Sequence, residues 1–359
     1  MFFPRVKRNL AAVFLPVFLT SCPKPPPPQM EFALGTVCSV NLFEGGKNSI
    51  YSRVFSRIRE IDRTMSAFGG DFQDLLGGGA ARPGAETLVS GIVAVNGKAG
   101  IEAVKIRADL IGVLETALRY AELSNGAFDP TVGPLVSLWG IGTAAQRIPE
   151  DGEISAALAL VSWRDLEVDR EAGTAFLRRE GMALDIGAIA KGYAADEAVR
   201  IAGEEGVKRA IIDLGGNISA LGWREKKKSL PWRIGVQNPL GERGSYIGVL
   251  AVHDMSVVTS GVYERYFEAE GKRYHHILST TDGCPVDNGL LSVTIVTESS
   301  IDADALSTSV FALGFERGKA LVDSIPGAEA VFVFNDRGVR ITGGLKEIFT
   351  ITDDGYTLY

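Results

Sequence analysis

Apolar residues recur along this chain in two periods. At a spacing of three or four, Val54, Ile58 and Ile61 predict a helix over Arg53 to Met65. Leu110 to Leu123, Tyr193 to Ala202 and Ile301 to Leu313 read as further helices. Val37 to Phe43 reads as a strand, and Ala210 to Leu214 is a short apolar strand closing on Asp213 and Leu214. After residue 230 strands follow in quick succession, over Trp232 to Gln237, Gly248 to Val252, Ser256 to Ser260 and Leu291 to Val296. Hairpins are expected from Tyr263 to Leu278 and from Ala330–Phe334 to Gly338–Thr342. Their short links favour antiparallel pairing. Gly133 to Gly142 carries an aromatic insertion, Leu138-Trp139-Gly140. The stretch from Phe68 to Gly84 is glycine-rich and has no period, so a loop is expected there. No repeat and no Pro-rich linker interrupts the chain after residue 30. The pattern predicts one compact α/β (α+β) unit of largely antiparallel sheets flanked by helices.

The first residues break this pattern. Arg5, Lys7 and Arg8 precede an apolar run from Leu10 to Leu19 that contains Pro16. Ten helical residues cover about 15 Å, half of a ~30 Å hydrocarbon core. The run therefore reads as a signal peptide over residues 1–21. Leu19-Thr20-Ser21-Cys22 resembles a bacterial lipobox, which makes Cys22 the lipidated residue; a plain secretory signal is the alternative. Residues 22–31, with the prolines from Pro23 to Pro28, form a stiff, extended tether. The catalytic domain is expected over 32–359. A location on the periplasmic face of the inner membrane follows, held by the lipid.

With 359 residues the chain is one large elaborated domain or two closely packed ones. Removing residues 1–21 takes away three cations and no acids, and moves the net charge from −7 to −10. So acidic a chain lacks the cation excess of a non-specific nucleic-acid binder. Cys38 and Cys284 then remain, too far apart for a framework pattern, and are read as unpaired. The 42 glycines suggest backbone approaching a ligand, and the 3 histidines make the search for an imidazole base short.

Five segments carry candidate chemistry. Leu184-Asp185-Ile186-Gly187-Ala188-Ile189-Ala190-Lys191-Gly192-Tyr193 places a carboxylate, glycines and a cation before a helix, where free N–H groups suit a phosphate. An ordinary strand-to-helix connection is the simpler account from spacing alone. Asp213-Leu214-Gly215-Gly216-Asn217 is explained by a turn. Tyr274-His275-His276-Ile277 puts two histidines at a strand end, where only one of them can face a given pocket. Surface hairpin residues and a general base are equally good readings there. Ser300-Ile301-Asp302-Ala303-Asp304-Ala305-Leu306-Ser307-Thr308 sets Asp304 and Thr308 on one helix face, opposite Leu306, Val310 and Leu313. Oxygen donors fit a hard cation such as Mg²⁺ rather than zinc, although capping by Ser299, Ser300 or Asp302 is an alternative for the acids. Ser124-Asn125-Gly126-Ala127-Phe128-Asp129-Pro130-Thr131 offers a ring and a carboxylate to a flat ligand, and alone is also simply a turn.

Taken in order, these five motifs resemble the FAD:protein FMN transferase family, also called ApbE-like flavin-trafficking proteins. The resemblance runs from about Phe32 to the C-terminus. It implies a fold related to the tunnelling or T-fold, with FAD bound beside Mg²⁺ and its pyrophosphate cut. FMN passes to a Thr or Ser hydroxyl of a target protein, and AMP is released. Some treponemal relatives instead hydrolyse FAD to FMN and AMP. By this resemblance Leu34, Phe68, Ala127, Phe128, Asp129, Asp185, Lys191 and Ile277 line the FAD site. Asp304, Thr308 and the Ala188 carbonyl hold the metal, and His276 is the base for the acceptor hydroxyl. The implied acceptors are redox subunits of Rnf- or Nqr-type complexes. An FAD pyrophosphatase and a non-catalytic flavin-binding lipoprotein are the alternatives. The sequence departs from the family at Phe68, where many members have Tyr, and in the glycine-rich stretch Gly69 to Ala80. It departs again at Ser307, where some members have Asp, and at Thr281-Asp282-Gly283.

Overall fold

The structure, a computed structural model, describes residues 27–67 and 91–359. Cys22, Phe68, the signal segment and the glycine-rich stretch lie outside the described residues. The chain opens with β1 (Gln29–Ala33) and β2 (Thr36–Glu44), joined by a turn at Leu34-Gly35. Strand β1 begins at Gln29, three residues before Phe32. Helix α1 (Asn48–Met65) buries Val54, Phe55, Ile58 and Ile61 on one stripe. Next come α2 (Gly91–Asn96), β3 (Val104–Lys105), α3 (Ala108–Leu123), α4 (Gly133–Trp139) and α5 (Asp151–Leu158). Strands β4 (Leu166–Asp169) and β5 (Thr174–Leu177) make a small sheet with β3.

Helix α6 (Gly187–Glu204) leads into the hairpin β6 (Arg209–Leu214) and β7 (Asn217–Leu221). The helix begins at Gly187 and not at Tyr193, so Ala188, Lys191 and Gly192 ride on its first turns instead of preceding it. Strands β8 (Trp232–Gln237), β9 (Tyr246–Val252), β10 (Met255–Gly261), β11 (Tyr266–Ala269), β12 (Lys272–His275) and β13 (Leu290–Thr297) follow as the pattern predicts. The chain closes with α7 (Ser300–Leu313), α8 (Phe315–Asp323), β14 (Glu329–Phe334), β15 (Gly338–Ile341), β16 (Phe349–Ile351) and β17 (Thr357–Leu358).

Nine strands form one sheet in the order β1-β2-β6-β7-β10-β13-β14-β15-β17, antiparallel except where β15 meets β17. Both of its faces are buried. Val258 of β10, Val293 and Ile295 of β13 and Phe332 of β14 join the core beneath α1, α6 and α7. Their neighbours Val257, Val296, Val331 and Val333 join a second core shared with Trp232, Ile234, Leu250 and Phe349 of the β16-β9-β8 sheet. This explains why antiparallel strands read as continuous apolar runs instead of alternating. The register fixes two ends. The Leu34-Gly35 turn, Leu214 facing Asn217 and the end of β10 at Gly261 share one end. Glu44, Arg209, Leu221 and Met255 share the other.

Candidate active site

The site is built where α6 crosses α7. A Cβ on Gly192 would lie 2.3 Å from the Ser300 carbonyl oxygen, so only glycine lets the two backbones approach this closely. Asp196, one turn further on, accepts from the backbone N–H of Ser300 at 2.8 Å and of Ile301 at 2.9 Å. The Ser299 hydroxyl accepts from the Asp302 N–H at 3.3 Å, and the Ser299 carbonyl accepts from the Ala303 N–H. The first N–H groups of α7 are thus all satisfied, two of them by another helix. Burial raises the Asp196 carboxyl to about 6, against these hydrogen bonds.

This junction fixes Asp304, which is only 3% exposed. Its Oδ2 accepts from the Gly192 N–H at 2.9 Å, and its Oδ1 lies 3.6 Å from Lys191 Nζ. Lys191 also donates to the Gly187 carbonyl at 3.3 Å. Thr308, one turn along α7, has its Oγ1 3.2 Å from Ser260 Oγ of β10. Ser307 bonds the same Ser260 hydroxyl at 2.8 Å and donates to the Asp304 carbonyl. Asp302, by contrast, is held away by Tyr120 and Arg119 of α3. Among the described residues no three His, Cys, Asp or Glu side chains group together. One buried carboxylate with neutral oxygens is a hard-donor set that fits Mg²⁺, because Mg²⁺ keeps positions for water and phosphate oxygens.

The facing wall carries the histidine. Strand β12 ends at His275, and the two rings bond different carbonyls. His275 is buried, with Nε2 2.8 Å from the Val286 carbonyl. His276 is half-buried, and its Nδ1 lies 3.3 Å from the Arg265 carbonyl. A carbonyl only accepts, so Nδ1 carries the proton and Nε2 presents its lone pair. Burial, then the cations Arg265 and Lys191, push this ring down to about 3. Arg265 reaches the β1–β2 turn, with Nη2 3.1 Å from where a Gly35 side chain would begin. Leu34 in that turn holds a left-handed φ of 54°, a strained conformation for a leucine. Asp185 bonds the Gly187 N–H at 2.8 Å, and burial raises its pKa while Arg265 and Lys191 oppose the shift. Burial also raises Asp213 and Glu264, both within the influence of Arg243.

The 124–133 loop differs from its expectation. Its aromatic ring and its carboxylate are both buried in the fold. Phe128 is in the main core, 4% exposed. Asp129 Oδ1 accepts from the Thr131 N–H and hydroxyl, and Oδ2 accepts from the Trp163 N–H, so both oxygens hold the loop. Ala127 is half-buried and Ile277 is core. The loop still borders the site, since the Pro130 carbonyl accepts from the Asp185 N–H at 2.9 Å. The structure thus brings together Leu34, Asp185, Lys191, His276, Asp304 and Thr308, with Ala188 on the first turn of α6 beside them in sequence. It adds Asp196, Ser260, Glu264 and Arg265, which the sequence reading did not assign. Asp196 lies one turn beyond Gly192, but its target helix is about a hundred residues away in sequence.

The ApbE family model matches residues 34–332, and the chain belongs to that family. It is 35% identical to an FAD:protein FMN transferase of Treponema pallidum, over 91% of this chain and 90% of the relative. A second FAD:protein FMN transferase, from Klebsiella pneumoniae, is 37% identical over 74% of this chain and 82% of its own length. The crystal structure of the ApbE protein from Thermotoga maritima superposes with a TM-score of 0.76 at 30% identity, covering 89% of this chain and 98% of that one.

Proposed function

We propose that this chain cuts the FAD pyrophosphate and transfers FMN to a Thr or Ser hydroxyl of a target protein, releasing AMP. The observation that carries it is the buried Asp304, tied to Gly192 and Lys191, in a site that also holds a neutral His276. Asp304, Thr308 and the Ala188 carbonyl would hold Mg²⁺, which supplies charge neutralisation for the pyrophosphate as its bond breaks. Lys191 and Arg265 bring further positive charge to the phosphates. Leu34 and Ala127 border the flavin, while Phe128, Asp129 and Ile277 shape the pocket from behind. His276 Nε2 takes the acceptor hydroxyl proton, and that oxygen bonds the FMN phosphorus. The phosphorus–oxygen bond to AMP breaks, and AMP leaves with the electron pair. A ring near 3 is by itself a weak base. The negative charge of bound FAD raises it toward the value that catalysis needs.

Incubating the protein with FAD and Mg²⁺ tests this, with AMP followed by chromatography and FMN sought by mass spectrometry on a Thr of an Rnf- or Nqr-type redox subunit. Absence of AMP with or without that acceptor overturns the reading. AMP formed equally without acceptor makes the protein an FAD pyrophosphatase, and FAD that stays intact makes it a flavin-binding lipoprotein. The basic n-region, apolar run and Cys22 support lipid anchoring at the periplasmic face of the inner membrane. Mass spectrometry of the processed N-terminus checks it, with an unmodified Cys22 as the result that sinks it.

A further inference from the structure

We infer that the end of the nine-stranded sheet opposite the flavin site is a membrane-docking surface, with the 222–230 loop, Lys47 and Lys208 resting on anionic lipid headgroups. The inference rests on the lipid anchor proposed for Cys22. The chain enters the fold at Gln29, whose partner is Val40, midway along β2. Gln29 also bonds Asn48 at the start of α1. From Cys22 to Gln29 an extended tether reaches about 22 Å. Strand β1 runs from Gln29 toward the flavin end, so the chain reaches the fold from the opposite end, where these cations lie.

The surface at this end has the composition such a contact needs. Lys47, Lys208, Arg224 and Lys227 are exposed and have no ion pair among the described residues. The acids beside them are occupied. Glu225 pairs with Lys228 at 3.2 Å and Glu44 with Arg209 at 3.9 Å. Glu204 and Glu205 at the end of α6 pair with Arg200 and Arg53. Asp254 accepts from the Gly222 N–H and faces His253. The unpaired Glu298 lies at the end of β13, two strands from the loop. Trp223 stacks on His253 at 3.8 Å, half-buried, an amphipathic ring at headgroup level. On a domain of net charge −10 this local cation excess sets which end an anionic surface attracts.

The test uses the full chain with Cys22→Ser, which carries no lipid, and vesicles of phosphatidylglycerol or of phosphatidylcholine. Co-sedimentation should favour phosphatidylglycerol at least ~10-fold and collapse at about 0.5 M salt. Lys208→Glu/Arg224→Glu/Lys227→Glu should abolish the preference and leave AMP release from FAD unchanged. The segment before Cys22 is common to both chains, so their difference isolates the loop. Should the triple variant misfold, Trp223 emission reports instead, shifting to the blue on phosphatidylglycerol in the parent and missing in Trp223→Phe. Equal partition onto the two vesicles, or a reversed variant that binds as the parent does, overturns the docking, as does capture by an acidic protein alone. Lipid analysis of processed Cys22 separates the two readings. An unlipidated Cys22 with phosphatidylglycerol binding intact removes the anchor only, and a lipidated one without it removes the docking only.

Discussion

On the α6–α7 side of the site the polar groups are held by backbone partners from two helices. Asp304 is bonded by Gly192, the end of α7 by Asp196, and the helices touch at Ser300. On the β10–β12 side the histidine leans on the single carbonyl of Arg265, among mixed charges that reach the surface. The cation side is preorganised, and a developing phosphate charge finds it already in place. In the proposed reaction the His276 side takes its protonation state from the bound ligand. A transferase that must admit a protein hydroxyl needs this asymmetry.

The largest expected effect breaks the rigid side. Asp304→Ala should lower AMP release by roughly 10³-fold, because the carboxylate that organises the phosphate charge is gone. Mn²⁺ binding followed by paramagnetic resonance should weaken with it. On the histidine side, His276→Ala should slow FMN transfer roughly 10²-fold with FAD affinity nearly unchanged, read by fluorescence titration. Equal loss of both would remove the base role. The same histidine gives a pH test. Its folded pKa is depressed from 6.5 to about 3, so between these values the unfolded chain binds more protons. Its contribution to stability is complete above 6.5 and is lost as pH falls toward 3. His276→Gln should therefore lose less melting temperature than the parent between neutral pH and pH ~4.5.

Asp196→Ala tests whether rigidity is supplied from α6. It strands two backbone N–H groups at about 1–3 kcal/mol each, and should lower both melting temperature and Mn²⁺ affinity. Asp196→Asn retains an acceptor and should restore part of each. The smallest effect is expected from Ser260→Ala. It removes two neutral hydrogen bonds to α7, about 0.5–1.5 kcal/mol each, and should raise the KM for FAD only a few-fold.

Much of this fold was legible because the long elements carry strong periods. The α1 stripe of Val54, Ile58 and Ile61 and the run of strands after residue 230 are examples. Short elements with one or two buried positions escaped, among them α2, α5, the β3–β5 sheet, β16 and β17. The start of α6 was misplaced because glycine reads as a helix breaker. At Gly192 tertiary contact overrides that preference. The site residues were legible only as an ordered set of motifs. Spacing could not reveal that Phe128 and Asp129 turn inward, nor that Asp196 and Ser260 meet α7, because those facts depend on packing between distant segments.

Gly192 has an evolutionary side as well. Every replacement of a glycine adds at least one carbon, and here that carbon meets a carbonyl oxygen 2.3 Å away. The position has no smaller neighbour in sequence space and no step that is merely worse by a little. Selection can vary the acceptor-facing wall by increments, but it inherits the width of the phosphate jaw whole.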